Sequence, residues 1–426
     1  ENIYVISDLH TDNVENLHWL RDRCEGKVRS EHLPTPNDAL IIAGDISHDL
    51  STLEETLCIL VKNLNCHVFF VWGNHEAWIG GREMDSRGIK DSLQKIELVK
   101  KLCSRFGVYT DFQLVGRAKE NPAFILPIES WYDATLSLRG CEDLCDSFNS
   151  WPWVDFIRCE WPDEHTIKEW LSNAKELGKD VVYERGHLEN TGRIPMGLTE
   201  WFALQNFDSI QQIQNLYDKW KLDMGESESN NYPSSCPGLI TFSHFLPNNK
   251  TLPDWKEPSE EIFLRDEWLD HPVPNVSAKF AKVSGSKIID EQIRSIILPS
   301  NETARLHVFG HSHRPKDFVY DGIRYIHNPL GKPAERDMNM VSREVDFQLI
   351  WNCSRSDASL LEYDFSDKNM SFLGGTGEVP GSKMIRFWEE RGGGKKALRR
   401  NMRHRKIRRR LEVKRFVRDV KKTKLD

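Results

Sequence analysis

Eight side chains in this sequence are of the types that bind cations or move protons: Asp8, His10, Asp45, Asn74, His75, His244, His311 and His313. Carboxylate, carboxamide and imidazole together suit borderline divalent cations such as Mn, Fe or Zn better than the all-oxygen cages that hold Ca or Mg. Asp8 and His10 are separated by one residue, so on an extended stretch they point to the same side, and so do His311 and His313. Asp45 follows Gly44, which permits a tight turn and lets one carboxylate reach two cations. Asn74 offers a neutral carbonyl that limits the negative charge. Two cations about 3.5–4 Å apart can bind the non-bridging oxygens of a phosphate and hold a hydroxide for in-line attack. His75 need not be a ligand; a protonated imidazole beside the pair would give its proton to a leaving oxygen.

Short strands must present these residues. Ile3–Ser7, Ala39–Ala43 and Val68–Trp72 are apolar runs of strand length, ending at Asp8, at Gly44-Asp45 and at Gly73-Asn74-His75. Between and after them, 12–23, 52–63 and 96–106 have the apolar spacing of amphipathic helices. Later strands are predicted at Leu239–Ser243, ending at His244, and at Leu306–Phe309, ending at Gly310-His311-Ser312-His313, with closing strands at Ile323–Ile326 and Phe347–Trp351. Polar residues gathered past the carboxyl ends of strands are where open α/β sheets build their sites. The stretch 133–235 breaks the pattern. It is rich in Trp, Cys and acidic residues and then helical from Leu198 to Trp220, and it is expected to be an insertion that limits access. Residues 250–285 carry Pro and charge and are expected to form a long surface excursion.

The ordered blocks D-x-H (Asp8, His10), G-D (Gly44, Asp45), G-N-H-E (Gly73 to Glu76), a lone strand-end His244 and G-H-x-H (Gly310 to His313) resemble the calcineurin-like metallophosphoesterase superfamily over about 2–330, the insertion excepted. The resemblance implies an α/β, four-layer αββα sandwich of two mixed sheets. It implies that Asp8, His10, Asp45 and His313 bind one divalent metal ion, and that Asp45, Asn74, His244 and His311 bind a second, with Asp45 bridging. It further implies a bridging hydroxide as nucleophile, His75 as proton donor or transition-state stabiliser, and Glu76 orienting His75. The activity implied is hydrolysis of a phosphate mono- or diester. The sequence departs from the serine/threonine protein phosphatases of the superfamily, whose G-D precedes an Asp-Arg-Gly segment. Here Ile46-Ser47-His48-Asp49 follows, without the phosphate-gripping Arg. G-N-H-E-A-W, Ser130-Trp131-Tyr132 and Asn328-Pro329-Leu330-Gly331 look more like a plant, algal and bacterial group. His48 and His307 lie outside the motifs, and Trp78, Trp131 and Tyr132 are expected mainly as core aromatics.

The 426 residues, 39% hydrophobic with 14 Trp and 20 Phe, can fill a sizeable core and exclude a largely disordered chain. The domain is expected over 1–365, followed by a Gly-rich linker, 366–394, and a basic tail, 395–426, in which Val413, Phe416, Val417 and Val420 have helical spacing. That tail holds 16 of the 58 basic and 3 of the 65 acidic residues, so it carries +13 and the remainder −20. Such a tail fits RNA, a ribonucleoprotein or another anionic surface. It also supports an alternative reading: a binding or assembly module of a large complex, with weak or no activity. No apolar run reaches the length of a membrane span. Nine scattered Cys without a C-x-x-C pair suit reduced thiols. The chain begins with Glu1, so the expectation is an intracellular protein of the cytoplasm, or of a mitochondrion or plastid after removal of a targeting segment.

Overall fold

A computed structural model describes residues 1–27, 33–80, 88–116, 121–137, 153–181, 194–226, 236–252, 280–299, 303–337, 341 and 345–353. The linker and basic tail lie outside the described residues.

Two mixed sheets form the centre. In the first, β1 (Asn2–Ile6), β2 (Ala39–Ala43) and β3 (His67–Val71) run parallel, and β10 (Gln348–Asn352) closes the edge antiparallel to β1, in the order β10-β1-β2-β3. In the second, β5 (Ala123–Pro127), β6 (Gly238–Phe242), β7 (Arg305–Val308) and β9 (Ile323–His327) are parallel. Its antiparallel edges are β4 (Gln113–Val115) and β8 (Lys316–Tyr320), in the order β4-β5-β6-β7-β9-β8.

Alternation along each strand explains why two sheets stack. Ile3, Val5, Ala39, Ile41, Ala43, Phe69 and Val71 from the first sheet join Ile125, Ile240, Phe242, Leu306, Val308 and Ile326 from the second in one core. The intervening Tyr4, Ile6, Leu40, Ile42, Val68 and Phe70 face the helical side instead. Strands buried on both faces read as continuous apolar runs, which is why they were legible. Helices α1 (Val14–Cys24), α2 (Leu50–Leu64) and α4 (Ser92–Phe106) supply Leu20, Leu53, Leu57, Leu60, Ile96 and Val99 to that outer core. Between α2 and α4 lies the single turn α3 (Asn74–Ala77). Asp49 and Asp91 cap α2 and α4 by accepting from Thr52 N and Gln94 N, each worth about 1 kcal/mol.

The expected insertion is helical where described. It contains α5 (Asp155–Arg158), α6 (Glu164–Glu176), α7 (Leu198–Gln205) and α8 (Phe207–Glu226). The stretch expected to be helical from Leu198 to Trp220 is so, as two helices that meet at Asn206, whose side chain bonds to Glu129 backbone and to Gln292. Helices α9 (Lys287–Ser295) and α10 (Pro333–Asp337) complete the chain order. The excursion foreseen over 250–285 is corrected at its end: Ala281 to Ser284 are buried, and Gly285 abuts Leu246 backbone so closely that a Cβ would lie 1.9 Å from its carbonyl oxygen. Residues 253–279 lie outside the described residues. None of the seven cysteines among the described residues is in a disulfide. No described helix is long and apolar enough to cross a membrane.

Candidate metal centre

The loops after β1, β2, β3, β6 and β7 meet at one end of the sandwich and bring all eight sequence-predicted residues together. Backbone bonds knit them: Asp8 N donates to Gly44 O, His10 N to Asp45 O, Gly310 N to His244 O, and His311 N to an Asp8 carboxylate oxygen at 2.9 Å. Asp8, His10, Asp45, His311 and His313 all have positive φ, between 43° and 70°. Non-glycine residues are costly there, and such strain gathers at functional sites. Gly44, Gly73 and Gly310 allow the close approach: a Cβ on Gly44 would meet His244 Nδ1 at 2.3 Å, and one on Gly73 would meet Asp45 Oδ1 at 2.4 Å.

Among the described residues, three groups could hold a metal ion; two are built wholly from these eight residues, and the third joins His10 and His75 to Asp12. In the first, His10 Nε2 and His313 Nε2 approach to 2.8 Å, with Asp8 Oδ1 3.4 Å from His313 Nε2 and Asp45 Oδ2 3.9 Å from His10 Nε2. In the second, Asn74 Oδ1 lies 3.1 Å from His244 Nε2 and 3.0 Å from His311 Nδ1, with Asp45 Oδ1 3.4 Å from His244 Nε2. Asp45 thus turns one oxygen to each group.

The outer nitrogens set the tautomers. His244 Nδ1 donates to Ala43 O at 3.0 Å and His311 Nε2 to Val283 O at 3.1 Å, so their inward nitrogens carry lone pairs. His313 Nδ1 donates to Glu335 Oε2 at 2.8 Å. Inward lone pairs and carboxylate oxygens at these separations fit borderline divalent cations.

Electrostatics follow from burial and from these neighbours. Burial pushes His244 down to about 4, and takes His10 and His311 well below the usual imidazole range. Burial also opposes charge on His313, but Glu335 and Asp8 outweigh it and raise it to about 10. Burial, then the Glu76 and Asp8 carboxylates, drive Asp45 well up. Burial raises Asp8 too, but His313 and His327 prevail and hold it low.

His75 lies beside both groups, with Nε2 3.7 Å from Asp45 Oδ2 and its ring stacked on Trp78, centroids 3.7 Å apart. Burial, then the neighbouring His10 and Lys332, keep it well below the usual range. Glu76 does not orient that ring. Its carboxylate accepts from the backbone N–H groups of Gly73, Asp45 and Ser47 at 2.7, 3.1 and 3.0 Å, so it braces the two loops against each other. Lys95, buried on α4, donates to the carbonyls of His48 and Trp78 from beneath. His307 is fully buried on the far face of β7, bonded to Thr241 and Ser243, and is structural. Trp131 and Tyr132 are core. Sequence reasoning missed Glu335, His327, which bonds Asp8 Oδ2 at 3.1 Å, and Asp155, which accepts from Asn74 Nδ2 at 2.9 Å. None belongs to a motif, and their signal is spatial.

The fold and the site define a class. The family profile for calcineurin-like phosphoesterases matches residues 1–218, and the chain belongs to that family, whose members use divalent metals and act on phosphate esters. More particularly, the chain is similar to the acyl-carrier-protein phosphodiesterase PptH of Mycobacterium tuberculosis, at 28% identity over 141 residues, 32% of this chain and 40% of that protein. The match therefore spans less than half of this relative's length. Among solved structures it is similar to phosphopantetheinyl hydrolase (PptH) from Mycobacterium tuberculosis, with 18% identity, TM-score 0.45, and coverage of 82% of this chain and 95% of that one. It is also similar to the protein of unknown function AQ665 from Aquifex aeolicus, with 22% identity, TM-score 0.17, and coverage of 32% and 62%.

Proposed function

We propose that this chain hydrolyses a phosphate ester at a dinuclear centre, with Asp8, His10 and His313 holding one cation, Asn74, His244 and His311 the other, and Asp45 shared. The observation that carries this reading is the division of the Asp45 carboxylate, with Oδ2 toward His10 and Oδ1 toward His244. When bound, a pair of divalent cations of the Mn, Fe or Zn kind supplies Lewis-acid polarisation of the phosphate and a nucleophile drawn from water. The protein's part is to pre-form the donor set. Buried, neutral His10, His244 and His311 offer lone pairs without waiting for a proton to leave. His75 is neutral in the free protein, so it acts through an N–H hydrogen bond to the developing charge on the leaving oxygen, its ring held by Trp78.

The catalytic domain in this reading spans 1–365, with the insertion 133–235 beside the site. The likeness to PptH, a phosphodiesterase by name, supports a diester as the first substrate to try. The test is Mn-dependent hydrolysis of p-nitrophenyl phosphate beside bis(p-nitrophenyl) phosphate. Turnover is expected, lower by about 10²–10⁴ in His75→Ala with its metal content unchanged. No turnover of either ester by protein holding two metals per chain would contradict the proposal. The +13 charge on 395–426 supports a second reading, attachment to RNA or another anionic surface. Deleting those residues would then abolish association and leave hydrolysis intact.

A further inference from the structure

We infer that Asp155 is a positioning residue for the second cation: it fixes which end of the Asn74 amide faces the site, and so makes the insertion a working part of the metal centre. This rests on the two-cation reading above. Asp155 lies on α5, 81 residues beyond Asn74, and is only 1% exposed. Its Oδ1 accepts from Asn74 Nδ2 at 2.9 Å and Trp78 Nε1 at 2.7 Å, and its Oδ2 accepts from Trp153 Nε1 at 2.8 Å and Tyr132 OH at 3.1 Å. Indole and amide nitrogens only donate, so both oxygens act as acceptors. Four neutral donors offset part of the cost of burying the carboxylate.

The arrangement solves a particular problem. A primary amide has two ends of nearly the same shape, and only its oxygen can bind a cation. His244 Nε2 and His311 Nδ1 present lone pairs 3.1 and 3.0 Å from the inner end of Asn74, because their other nitrogens donate to Ala43 O and Val283 O. Facing those lone pairs alone, the amide would turn its NH2 inward and block the site. A carboxylate behind it reverses the preference, drawing the NH2 outward and leaving the oxygen among the imidazoles. Trp78, which shares Oδ1, also stacks on His75, so one carboxylate sets a ligand and the partner of the proposed catalytic imidazole.

The experiment is Mn(II) titration of metal-free, full-length protein, followed by calorimetry and by electron paramagnetic resonance, with thermal melting to show that each variant is folded. The unaltered protein is expected to take up two ions that couple magnetically. Asp155→Leu, near in size but without acceptors, is expected to bind the first ion normally and the second 10–100-fold more weakly, about the cost of losing an outer-shell partner. The coupled signal should disappear at two equivalents. Asp155→Glu keeps the charge and the donors but displaces the carboxylate by one methylene, and a loss of about tenfold is expected for the second ion. It serves as the test should the Leu protein fail to fold. Wild-type affinity for both ions in either folded variant would overturn the inference. Fewer than two ions in the unaltered protein would overturn the two-cation reading, and this inference with it.

Discussion

The two donor groups share Asp45 and little else. The first is rich in charge: Asp8 is its own carboxylate, Glu335 stands behind His313 at 2.8 Å, and His327 pairs with Asp8 at 3.1 Å. The second has neutral donors of its own, braced by Ala43 O and Val283 O, with the Asp155 carboxylate held behind the amide. One imidazole of the first group, His313, stands apart from its neighbour His10 and from both imidazoles of the second. His313 is raised to about 10, whereas burial takes His244 down to about 4. In the two-cation reading, a cation entering the first group would displace a proton from His313, while one entering the second would meet a neutral His244. Charge attracts a cation and hydrogen-bonded geometry selects one, so the first group is expected to fill first and the second to depend more on exact placement.

That contrast can be broken at three points. The largest effect is expected where the groups join. Asp45→Ala removes a ligand from both, so both ions should be lost together, with hydrolysis down by about 4 kcal/mol or more in transition-state stabilisation, roughly a thousandfold. Metal content by mass spectrometry beside steady-state kinetics checks it; loss of one ion alone would show that the groups are independent. Next, Glu335→Gln should weaken the first ion by about 10–100-fold and leave the second near its original affinity, the mirror image of Asp155→Leu.

The smallest effect lies outside both groups, at a buried imidazole that touches neither. His307 sits at about 3 in the folded protein, against about 6.5 when unfolded. Between those values the unfolded chain holds a proton that the folded one refuses, so stability falls as pH drops through 6.5 and the loss levels off near 3. His307→Gln removes that titration. Denaturant unfolding at pH 7 and pH 5 should show about 2 kcal/mol less acid destabilisation in the variant. An unchanged pH dependence would mean that His307 is not buried as a neutral ring.

What was legible followed from local chemistry. Strands β1, β2 and β3 are apolar on both faces and stop at polar residues, so their ends, and the polar residues gathered beyond them, could be read directly. Strand β4 is three residues long and β8 is an edge strand beginning Lys316-Asp317, so neither offers a clear period. Asp155, Glu335 and His327 act through contacts 22 to 319 residues distant in sequence. No pattern around them differs from an ordinary surface carboxylate or strand-end His. The insertion was expected to limit access to the site. Its Asp155 also bonds to Asn74, a contact that only the packed chain displays.

The most direct measurement is the count and coupling of manganese in the metal-free protein titrated with Mn(II). Two ions per chain, with a spin-coupled spectrum appearing as the second binds, is the result expected of two donor groups joined by the Asp45 carboxylate. Saturation at one ion, or two ions with the spectra of isolated Mn(II), would contradict it.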